Sequence, residues 1–358
     1  MREARLDEYL EANDLESVWF ARPNGFAWLT GGSNVVDREG DTGVAAAGYD
    51  GDGVTVVTNN VEGPRLAAEE LDEAVAVVET DWFDGSLADG VKAHAAEPAA
   101  ADFDVPGFEP VAASSLRQPL TDADVERYRE LGQTAAAAVE AVCDEIQPDD
   151  TEHEVASALR VALSARDVEA PVILVGGAER AQRYRHYTPK KEPLGDYALV
   201  SVTAERGGLH ASLTRTVAFD PPGWLTDRHD AAMTVEATAL AATREAAANG
   251  DDAGTVFEAV QDAYAAVGHG GEWRKHHQGG AAGFDGREWV ATPDSDAPVT
   301  TPMGYAWNPT VQGAKSEDTV LVTEDGFETL TRTGRWPTEA VEALDRDVTV
   351  ERHAVRPP

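Results

Sequence analysis

The chain has 358 residues, of which 65 are Asp or Glu and 29 are Lys or Arg, so its formal net charge is −36. This charge excludes a nucleic-acid module, which needs clustered Lys and Arg, and argues against an anionic membrane surface as a partner. The hydrophobic content of 42% excludes intrinsic disorder, and no apolar run approaches the ~20 residues of a spanning helix. The acidic N-terminus also lacks the features of a signal peptide. We therefore expect a cytoplasmic globular chain with two domains.

The acidity itself indicates an environment. Only five of the 29 basic residues are Lys. A surface rich in Asp and Glu and poor in Lys stays hydrated where salt screens repulsion, with a Debye length of ~3 Å at 1 M. We interpret the chain as a halophilic protein of a high-salt cytoplasm; the alternative is an ordinary acidic protein. The single Cys143 excludes an internal disulfide and a thiolate metal cluster.

Residues 1–114 are predicted to form a small α/β domain. Residues 3–13 fit a helix, as do 62–71 and 87–95. Apolar runs rich in β-branched and aromatic residues predict four strands, at 18–21, 26–30, 44–47 and 54–58. The stretch 97–110 contains three Pro and little periodicity, so we predict that it is the linker.

Residues 115–358 are predicted to form a second domain of helices followed by strands. Thr121 fits the N-cap of a helix that extends to about Ile146, and Thr151 to Glu154 is a capping-box pattern that opens another helix. Further helices are predicted at 226–248 and 255–267. The predicted strands lie at 171–176, 197–203, 209–219, 303–307, 319–323 and 327–333. This order favours an α+β fold with helices packed on a largely antiparallel sheet.

Histidine is the residue type that first suggests a site. His94, His153, His229 and His353 lie in helical or terminal acidic contexts and are expected to be exposed or capping.

The other candidate histidines lie in loops. His186 is flanked by four cations at positions 183, 185, 190 and 191. His276 and His277 directly precede a glycine pair, where the backbone can approach a ligand closely. A lone loop histidine is more often structural than catalytic. No zinc helix, nucleophile elbow or phosphate loop is present. The residues alone therefore predict a cleft lined by His and Arg in the second half of the chain.

Six short motifs in a fixed order carry a resemblance to a known family. They are Phe26–Gly32 (FAWLTGG), the helix pair with Thr151–Glu154, His186-Tyr-x-Pro, Leu209–Thr216 ending in LTRT, the glycine segment after His277, and Glu317–Thr323 (EDTVLVT). The chain resembles the prolidase, aminopeptidase P and creatinase superfamily over nearly its whole length. The resemblance implies a pita-bread fold for residues 115–358 and a creatinase-type domain for residues 1–114.

The resemblance also implies a set of site positions. The peptidases of that superfamily bind two divalent metals through two Asp, one His and two Glu. In this chain those positions fall on Ser201, Ser212, His277, Asn308 and Glu317, so three of the four carboxylates are lost. Since divalent ions prefer anionic oxygens, we expect no metal pair and no cofactor. The alternative is a single Mn or Zn ion at His277 and Glu317.

Three functional hypotheses remain open. The first is a metal-independent, creatinase-like hydrolase that cleaves a C–N bond of a small polar or anionic substrate. The resemblance places the proton-handling histidine of the family on His186 and its substrate-side histidine on Arg287. The predicted catalytic residues are His186, His277 and Glu317, and the predicted substrate-binding residues are Arg215, Arg287 and Lys315. The second hypothesis is a metal-dependent Xaa-Pro peptidase that acts on short peptides with a reduced metal site. The third is a non-catalytic protein that binds a ligand or partner in the cleft.

The resemblance further implies a homodimer, because relatives with such an N-terminal domain are commonly dimers. Arg22 and Asn24, in the turn Ala-Arg-Pro-Asn-Gly, are then expected to face a substrate in the cleft of the partner subunit.

Overall fold

The computed structural model describes residues 2–357. Contacts divide the chain into two compact units, one that ends at Gln118 and one that begins at Pro119. The sequence predicts a boundary after residue 114. Within residues 2–357, no helix combines the length and apolar character needed to cross a membrane.

The first unit contains five helices and one sheet. The helices are α1 (Arg2–Ala12), α2 (Pro23–Thr30), α3 (Gly63–Glu69), α4 (Leu87–His94) and α5 (Ala113–Leu116). The strands are β1 (Ser17–Phe20), β2 (Ala45–Tyr49), β3 (Val54–Asn59), β4 (Ala76–Thr80), β5 (Ala99–Ala101) and β6 (Glu109–Pro110). They form one six-stranded mixed sheet in the order β4-β3-β2-β1-β5-β6.

Two sequence predictions for the first unit are wrong. Residues 26–30 form part of helix α2 rather than a strand, because Pro23 starts the helix and Gly31, with a φ of 82°, ends it in the left-handed region. The predicted linker 97–110 contains β5 and β6, and β5 pairs in parallel with β1 inside the sheet. The three alanines of β5 are small enough for this buried position. The proline content of the stretch had favoured a linker instead.

The second unit carries longer helices and two antiparallel sheets. Its helices are α6 (Asp122–Cys143), α7 (Glu152–Ser164), α8 (Ala178–Arg183), α9 (Leu225–Asn249), α10 (Ala253–Ala266) and a short 3-10 helix (Glu272–Lys275). The strands of its two sheets are β7 (Glu169–Gly177), β8 (Tyr197–Arg206), β9 (Leu209–Ala218), β10 (Gly279–Ala282), β11 (Met303–Trp307), β14 (Val320–Val322) and β15 (Phe327–Thr329). Two separate hairpins pair β12 (Thr310–Val311) with β13 (Ala314–Lys315) and β16 (Thr338–Glu342) with β17 (Thr349–His353).

The two sheets have simple orders. One is β7-β8-β9 and the other is β10-β11-β14-β15, and every pair in them is antiparallel. Thr121 is an N-cap and Thr151 opens a capping box, as predicted, and Thr121 also forms a capping box with Asp124. Helix α6 packs against β9. The predicted α+β arrangement of the second unit is therefore confirmed.

The register of β8 and β9 places four hydroxyl side chains together. Ser201 pairs with Thr214, and Thr203 pairs with Ser212. The segment that follows β13 lies against β9, because the Thr214 amide donates to the Glu317 carbonyl at 2.9 Å and the Ser212 amide donates to the Thr319 hydroxyl at 2.8 Å. These contacts bring Glu317 beside the hydroxyl groups.

A buried ionic network lies on the far side of that segment. Arg215 is 1% exposed, and its Nη1 donates to Asp318 Oδ1 at 3.1 Å, while its Nη2 lies 3.4 Å from Glu140 Oε1. His353 Nδ1 contacts Asp318 Oδ2 at 2.6 Å, and His229 Nε2 contacts the His353 carbonyl oxygen at 2.9 Å. The expectation that His229 and His353 are exposed or capping is therefore wrong. A substrate-binding role for Arg215 is also wrong, because its guanidinium is enclosed by this network.

We predict that Arg215→Ala lowers the free energy of unfolding by about 3–5 kcal/mol, because it removes a buried cation that contacts both Asp318 and Glu140. Urea denaturation in high KCl measures this loss. The matched control is Arg183→Ala, which removes an exposed ion pair with Glu179 and is expected to change stability by less than about 1 kcal/mol. Equal effects of the two substitutions would contradict the assignment.

Asp102 fixes the turn that leads into α2. Its Oδ1 accepts hydrogen bonds from the backbone amides of Ala21 at 2.7 Å and Arg22 at 3.2 Å. Burial raises the pKa of Asp102 to about 6, since the two amides and the nearby Arg22 and Arg117 offset only part of it. An unfolded chain titrates this carboxyl near ~3.9.

This raised pKa predicts a pH dependence of stability. Between about pH 4 and pH 6 the unfolded chain ionises Asp102 while the folded chain does not, so stability is lost as the pH rises through the folded pKa. We expect the unfolding free energy of the native chain to fall across this window relative to Asp102→Asn. Denaturation at a series of pH values, with Asp104→Asn as the exposed control, measures the difference. A constant difference across the window would contradict the prediction.

Candidate functional site

The second unit contains a cavity of about 540 Å³. Strands β7 and β8, the loop around His186, the segment after the 3-10 helix and the segment after β13 all contribute to its walls. The lining includes four of the five family ligand positions, namely Ser201, His277, Asn308 and Glu317, together with His186, Arg287 and Lys315. The structure therefore brings most of the predicted site residues into one cavity.

Glu317 is the buried carboxylate at the centre of this group. Its Oε1 accepts a hydrogen bond from Arg287 Nη2 at 3.0 Å, and its Oε2 lies 2.7 Å from Lys315 Nζ. The hydroxyl of Thr214 also donates to Oε2 at 2.8 Å. Burial alone raises the pKa of Glu317, but Lys315 and Arg287 outweigh it and lower the pKa to about 2. Glu317 is therefore ionised at neutral pH, and each of its oxygens faces a fixed cation.

The serines at the two Asp positions belong to closed hydroxyl networks. Ser201 Oγ lies 2.8 Å from Thr214 Oγ1 and 3.1 Å from the Tyr187 hydroxyl. Burial raises the pKa of Tyr187, so its phenol stays protonated. A chain of hydrogen bonds therefore runs from Tyr187 through Ser201 and Thr214 to Glu317.

Ser212 is tied down in the same way. Its Oγ lies 3.0 Å from Thr203 Oγ1 and accepts a hydrogen bond from Arg287 Nη1 at 3.3 Å. Ser212 is not among the residues that line the cavity. Arg287 thus bridges Ser212 and Glu317, two of the positions that the resemblance marks as metal-ligand positions.

Asn308 occupies the remaining substituted position. It is 3% exposed, and among residues 2–357 its Oδ1 finds no hydrogen-bond partner. An unpaired buried acceptor is costly, at ~1–3 kcal/mol. Asn308 lines the cavity, but the Oδ1 atom itself is buried.

The residues present do not fit the dinuclear centre of the family. Hard or borderline divalent ions need anionic oxygens, and here two hydroxyls and one amide replace three carboxylates. The surviving carboxylate, Glu317, has both oxygens engaged by Arg287 and Lys315. A metal ion beside Arg287 and Lys315 would be repelled by their positive charges.

Three histidines meet at the cavity. His186 Nε2 lies 3.1 Å from His276 Nε2, and the rings of His276 and His277 stack at a centroid distance of 4.3 Å. Burial and then the charge of Lys315 lower the pKa of His186 below its usual value and that of His276 to about 2. Burial, Arg287 and Lys315 lower the pKa of His277 to about 4. All three imidazoles are therefore neutral at pH 7.

His276 is the site residue that the sequence prediction omitted from its candidate set. The signal was its position directly before His277, but adjacent residues of an extended segment normally point to opposite sides. In the part of the chain that the structure describes, one group of three His, Cys, Asp or Glu residues has ligand atoms within 4.8 Å of one another, and it consists of His186, His276 and His277. Glu317 is outside this group.

The cations that flank His186 in sequence are partly neutralised. Arg183 pairs with Glu179 and Arg185 pairs with Glu272. A neighbouring cavity of about 630 Å³ shares His186 and is lined by Arg183 and Lys190 among others. The fixed positive charge at the central cavity therefore comes from Arg287 and Lys315 rather than from the basic loop.

Arg22 and Asn24 lie in the first unit, at the start of α2. Arg22 Nε donates to the Asp102 carbonyl at 2.8 Å, and its guanidinium lies 3.9 Å from Asp41. Neither residue is among those that line the cavity of the second unit. Their contribution to a partner's cleft stays a prediction.

Comparison with known proteins adds to this geometry. Residues 126–324, more than half of the chain, match the model of metallopeptidase family M24. An Xaa-Pro dipeptidase from Pyrococcus furiosus is 24% identical in an alignment that covers 92% of this chain and 97% of that protein.

Solved structures agree in fold. The prolidase from Pyrococcus horikoshii OT3 has a TM-score of 0.75 at 17% identity and covers 93% of this chain and 99% of its own. The dipeptidase PepE from Mycobacterium ulcerans has a TM-score of 0.74 at 20% identity and covers 99% of this chain and 96% of its own. The chain therefore belongs to metallopeptidase family M24, within the hydrolases of the prolidase, aminopeptidase P and creatinase superfamily, and has their pita-bread fold.

Proposed function

We propose that the chain is a hydrolase that works without the dinuclear metal centre of its family. The observation that carries this proposal is the state of Glu317, whose two oxygens are held by Arg287 and Lys315. In a dinuclear site the corresponding carboxylate oxygens face metal ions. The two fixed cations supply positive charge to the cavity without any ion, and they are preorganised, which is the condition for electrostatic stabilisation of a developing negative charge.

The charges of the cavity favour a small polar or anionic substrate. Its charged lining residues are Asp285, Arg287, Lys315 and Glu317, so the fixed charges balance. The chain as a whole has a net charge of −36 and repels anions. The charges that line this cavity sum to zero, so they do not repel an anion at close range. Arg287 and Lys315 offer the N–H donors for a substrate carboxylate or carbonyl.

The bond cleaved is proposed to be a C–N bond. His186, neutral at pH 7, accepts a proton from a water molecule whose oxygen attacks the carbon. The C–N bond then breaks, its electron pair leaves on the nitrogen, and His186 returns the proton to that nitrogen. The contact with His276 orients the imidazole of His186. The side chain of Asn308 lines the cavity beside the substrate, and His277 donates a hydrogen bond to the substrate oxygen.

A second candidate is a metal-dependent Xaa-Pro peptidase with one Mn or Zn ion at His277 and Glu317. The relatives favour it, because the similar Pyrococcus furiosus protein is an Xaa-Pro dipeptidase. Against it, Glu317 must first release Lys315 or Arg287. A third candidate is a non-catalytic protein, which the closed hydroxyl network of Ser201 favours. Whichever candidate is correct, we propose that the protein works in a high-salt cytoplasm and forms a homodimer.

The role of His186 predicts a specific loss of activity. In high KCl with a chelator present, we expect turnover of one member of a panel of small guanidino, amidino and amino-acid amide compounds. His186→Ala is expected to lower its kcat by a factor of ~10²–10⁴, because the proton-transfer group is removed. His153→Ala, a change at an exposed residue of α7, is the matched control and is expected to keep full activity.

Other outcomes of the same assay separate the candidates. Cleavage of Xaa-Pro dipeptides that requires added Mn or Co selects the metallopeptidase. Absence of turnover across the panel, with the fold intact by circular dichroism, selects the non-catalytic protein. Either result overturns the metal-independent proposal.

Lys315 predicts a charge preference. We expect Lys315→Met to raise KM about tenfold or more for a substrate that carries a carboxylate, because a charge-assisted hydrogen bond is lost. The amide analogue of the same substrate is expected to change much less. Lys191→Met, at an exposed position outside the lining residues, is the control. Equal changes for carboxylate and amide substrates would argue against substrate binding by Lys315.

A further inference from the structure

The cluster of His186, His276 and His277 has a feature that the proposed hydrolase does not use. The three residues come from two separate segments, the loop after α8 and the residues directly after the 3-10 helix. Each offers one nitrogen atom such that the three atoms lie within 4.8 Å of one another. Proton transfer by His186 needs only an orienting contact, and a hydrogen bond from His277 to the substrate oxygen does not require the nitrogens of all three rings to converge.

The closest pair of nitrogens already has the spacing of a metal site. His186 Nε2 and His276 Nε2 are 3.1 Å apart. Two nitrogens bound to one tetrahedral ion at ~2.0–2.1 Å are separated by roughly 3.3 Å. The third nitrogen must move closer, and the side chains of His186 and His277 are exposed, so rotamer changes about χ1 and χ2 are available to them.

A second observation concerns the buried atom of the cluster. Among residues 2–357, His276 Nδ1 is buried without a hydrogen-bond partner. The contact with His186 needs one donor and one acceptor, so it uses one tautomer of His276 and leaves the other nitrogen unsatisfied. The protein thus holds three imidazoles together at a cost that their own hydrogen bonding does not recover. An ion bound by the two Nε2 atoms replaces their mutual contact, so the two rings no longer need to share one proton, and it does not contact Nδ1 of His276.

The donor set identifies the class of ion. Three imidazoles without a carboxylate suit zinc, nickel and copper ions, whereas magnesium, calcium and manganese prefer oxygen ligands. Lys315 and Arg287 repel any cation in the cavity, and Glu317 compensates one of these charges. The imidazoles must therefore supply the affinity through their own bonds to the ion, and the exposure of His186 and His277 leaves a fourth position open to water.

We propose that His186, His276 and His277 bind one zinc-class transition-metal ion, at a site that shares only His277 with the ligand positions of the family. This site goes beyond the proposed function, in which His186 acts with no metal bound. It also differs from the second candidate, whose ion is bound by Glu317. An ion at the three imidazoles occupies a nitrogen of His186, so zinc is expected to inhibit metal-free turnover.

The test uses the full-length chain, stripped with a chelator and transferred to high KCl. Isothermal titration with Zn²⁺ gives the stoichiometry and affinity, and Co²⁺ serves as a spectroscopic probe, because its visible bands report tetrahedral nitrogen coordination. We expect one tightly bound ion per chain. The surface carboxylates bind both ions weakly and without tetrahedral bands, so the two populations separate.

The decisive variant is His276→Ala, which removes the least exposed of the three ligands. We expect it to weaken Zn²⁺ binding by about tenfold or more, since even loss of groups outside the coordination shell costs ~10–100-fold, and to abolish the tetrahedral Co²⁺ bands. His153→Ala is the matched control and is expected to bind as the native chain does. Thermal unfolding of the metal-free proteins, with His276→Gln as a second variant, verifies that the fold is intact.

Three results would overturn the proposal. They are no tight Zn²⁺ binding, tight binding that survives His276→Ala, and binding that Glu317→Gln abolishes while His276→Ala does not. The first of these leaves the proposed hydrolase standing if turnover depends on His186. Conversely, one ion per chain that depends on His276, without any turnover across the substrate panel, supports the metal site and overturns the proposed function.

Discussion

The clamp on Glu317 is the interaction on which the cavity depends. A carboxylate in a buried position is stable only when opposite charges and hydrogen bonds replace water. Here Arg287 holds one oxygen, and Lys315 holds the other together with Thr214. Thr214 in turn forms a hydrogen bond with Ser201, and Ser201 forms one with Tyr187. These hydroxyl groups therefore form one hydrogen-bonded chain that begins at Glu317. Metal ions would serve the same electrostatic purpose, and we propose that the clamp takes their place.

The segment that carries Glu317 connects the cavity to the core. Lys315 and Glu317 line the cavity, whereas the two alternate residues contact the interior. Ser316 donates to Glu236, and Asp318 binds Arg215 and His353. Burial raises the pKa of Glu236 to about 7, although Arg352 opposes this. Residues that line the cavity therefore alternate with residues that contact the buried network over four consecutive positions. The position of Glu317 is set by both groups of contacts. This explains why Arg215, conspicuous in sequence, is structural.

Sequence reasoning found the second unit and most of its cavity because motifs in a fixed order specify topology. The N-cap at Thr121, the capping box at Thr151 and the runs of β8 and β9 are local signals, and they appear as predicted. Residues 26–30 have strand propensity, but Pro23 and Gly31 set the ends of a helix there. Strands β5 and β6 form despite their proline content, because they pair inside the sheet. The replaced positions Ser201, Ser212 and Asn308 could be found from sequence. Neither the clamp on Glu317 nor the three-imidazole cluster could be, since each depends on side chains from separate segments.

The central claim is that fixed cations replace the metal pair, and electron paramagnetic resonance with Mn²⁺ tests it most directly. Mn²⁺ prefers oxygen ligands and so probes the family positions rather than the imidazole cluster. In high KCl, the six-line signal of free Mn²⁺ is expected to keep its intensity when the chain is added in excess. Loss of that signal at two ions per chain, with the broadened spectrum of a coupled pair, would contradict the claim.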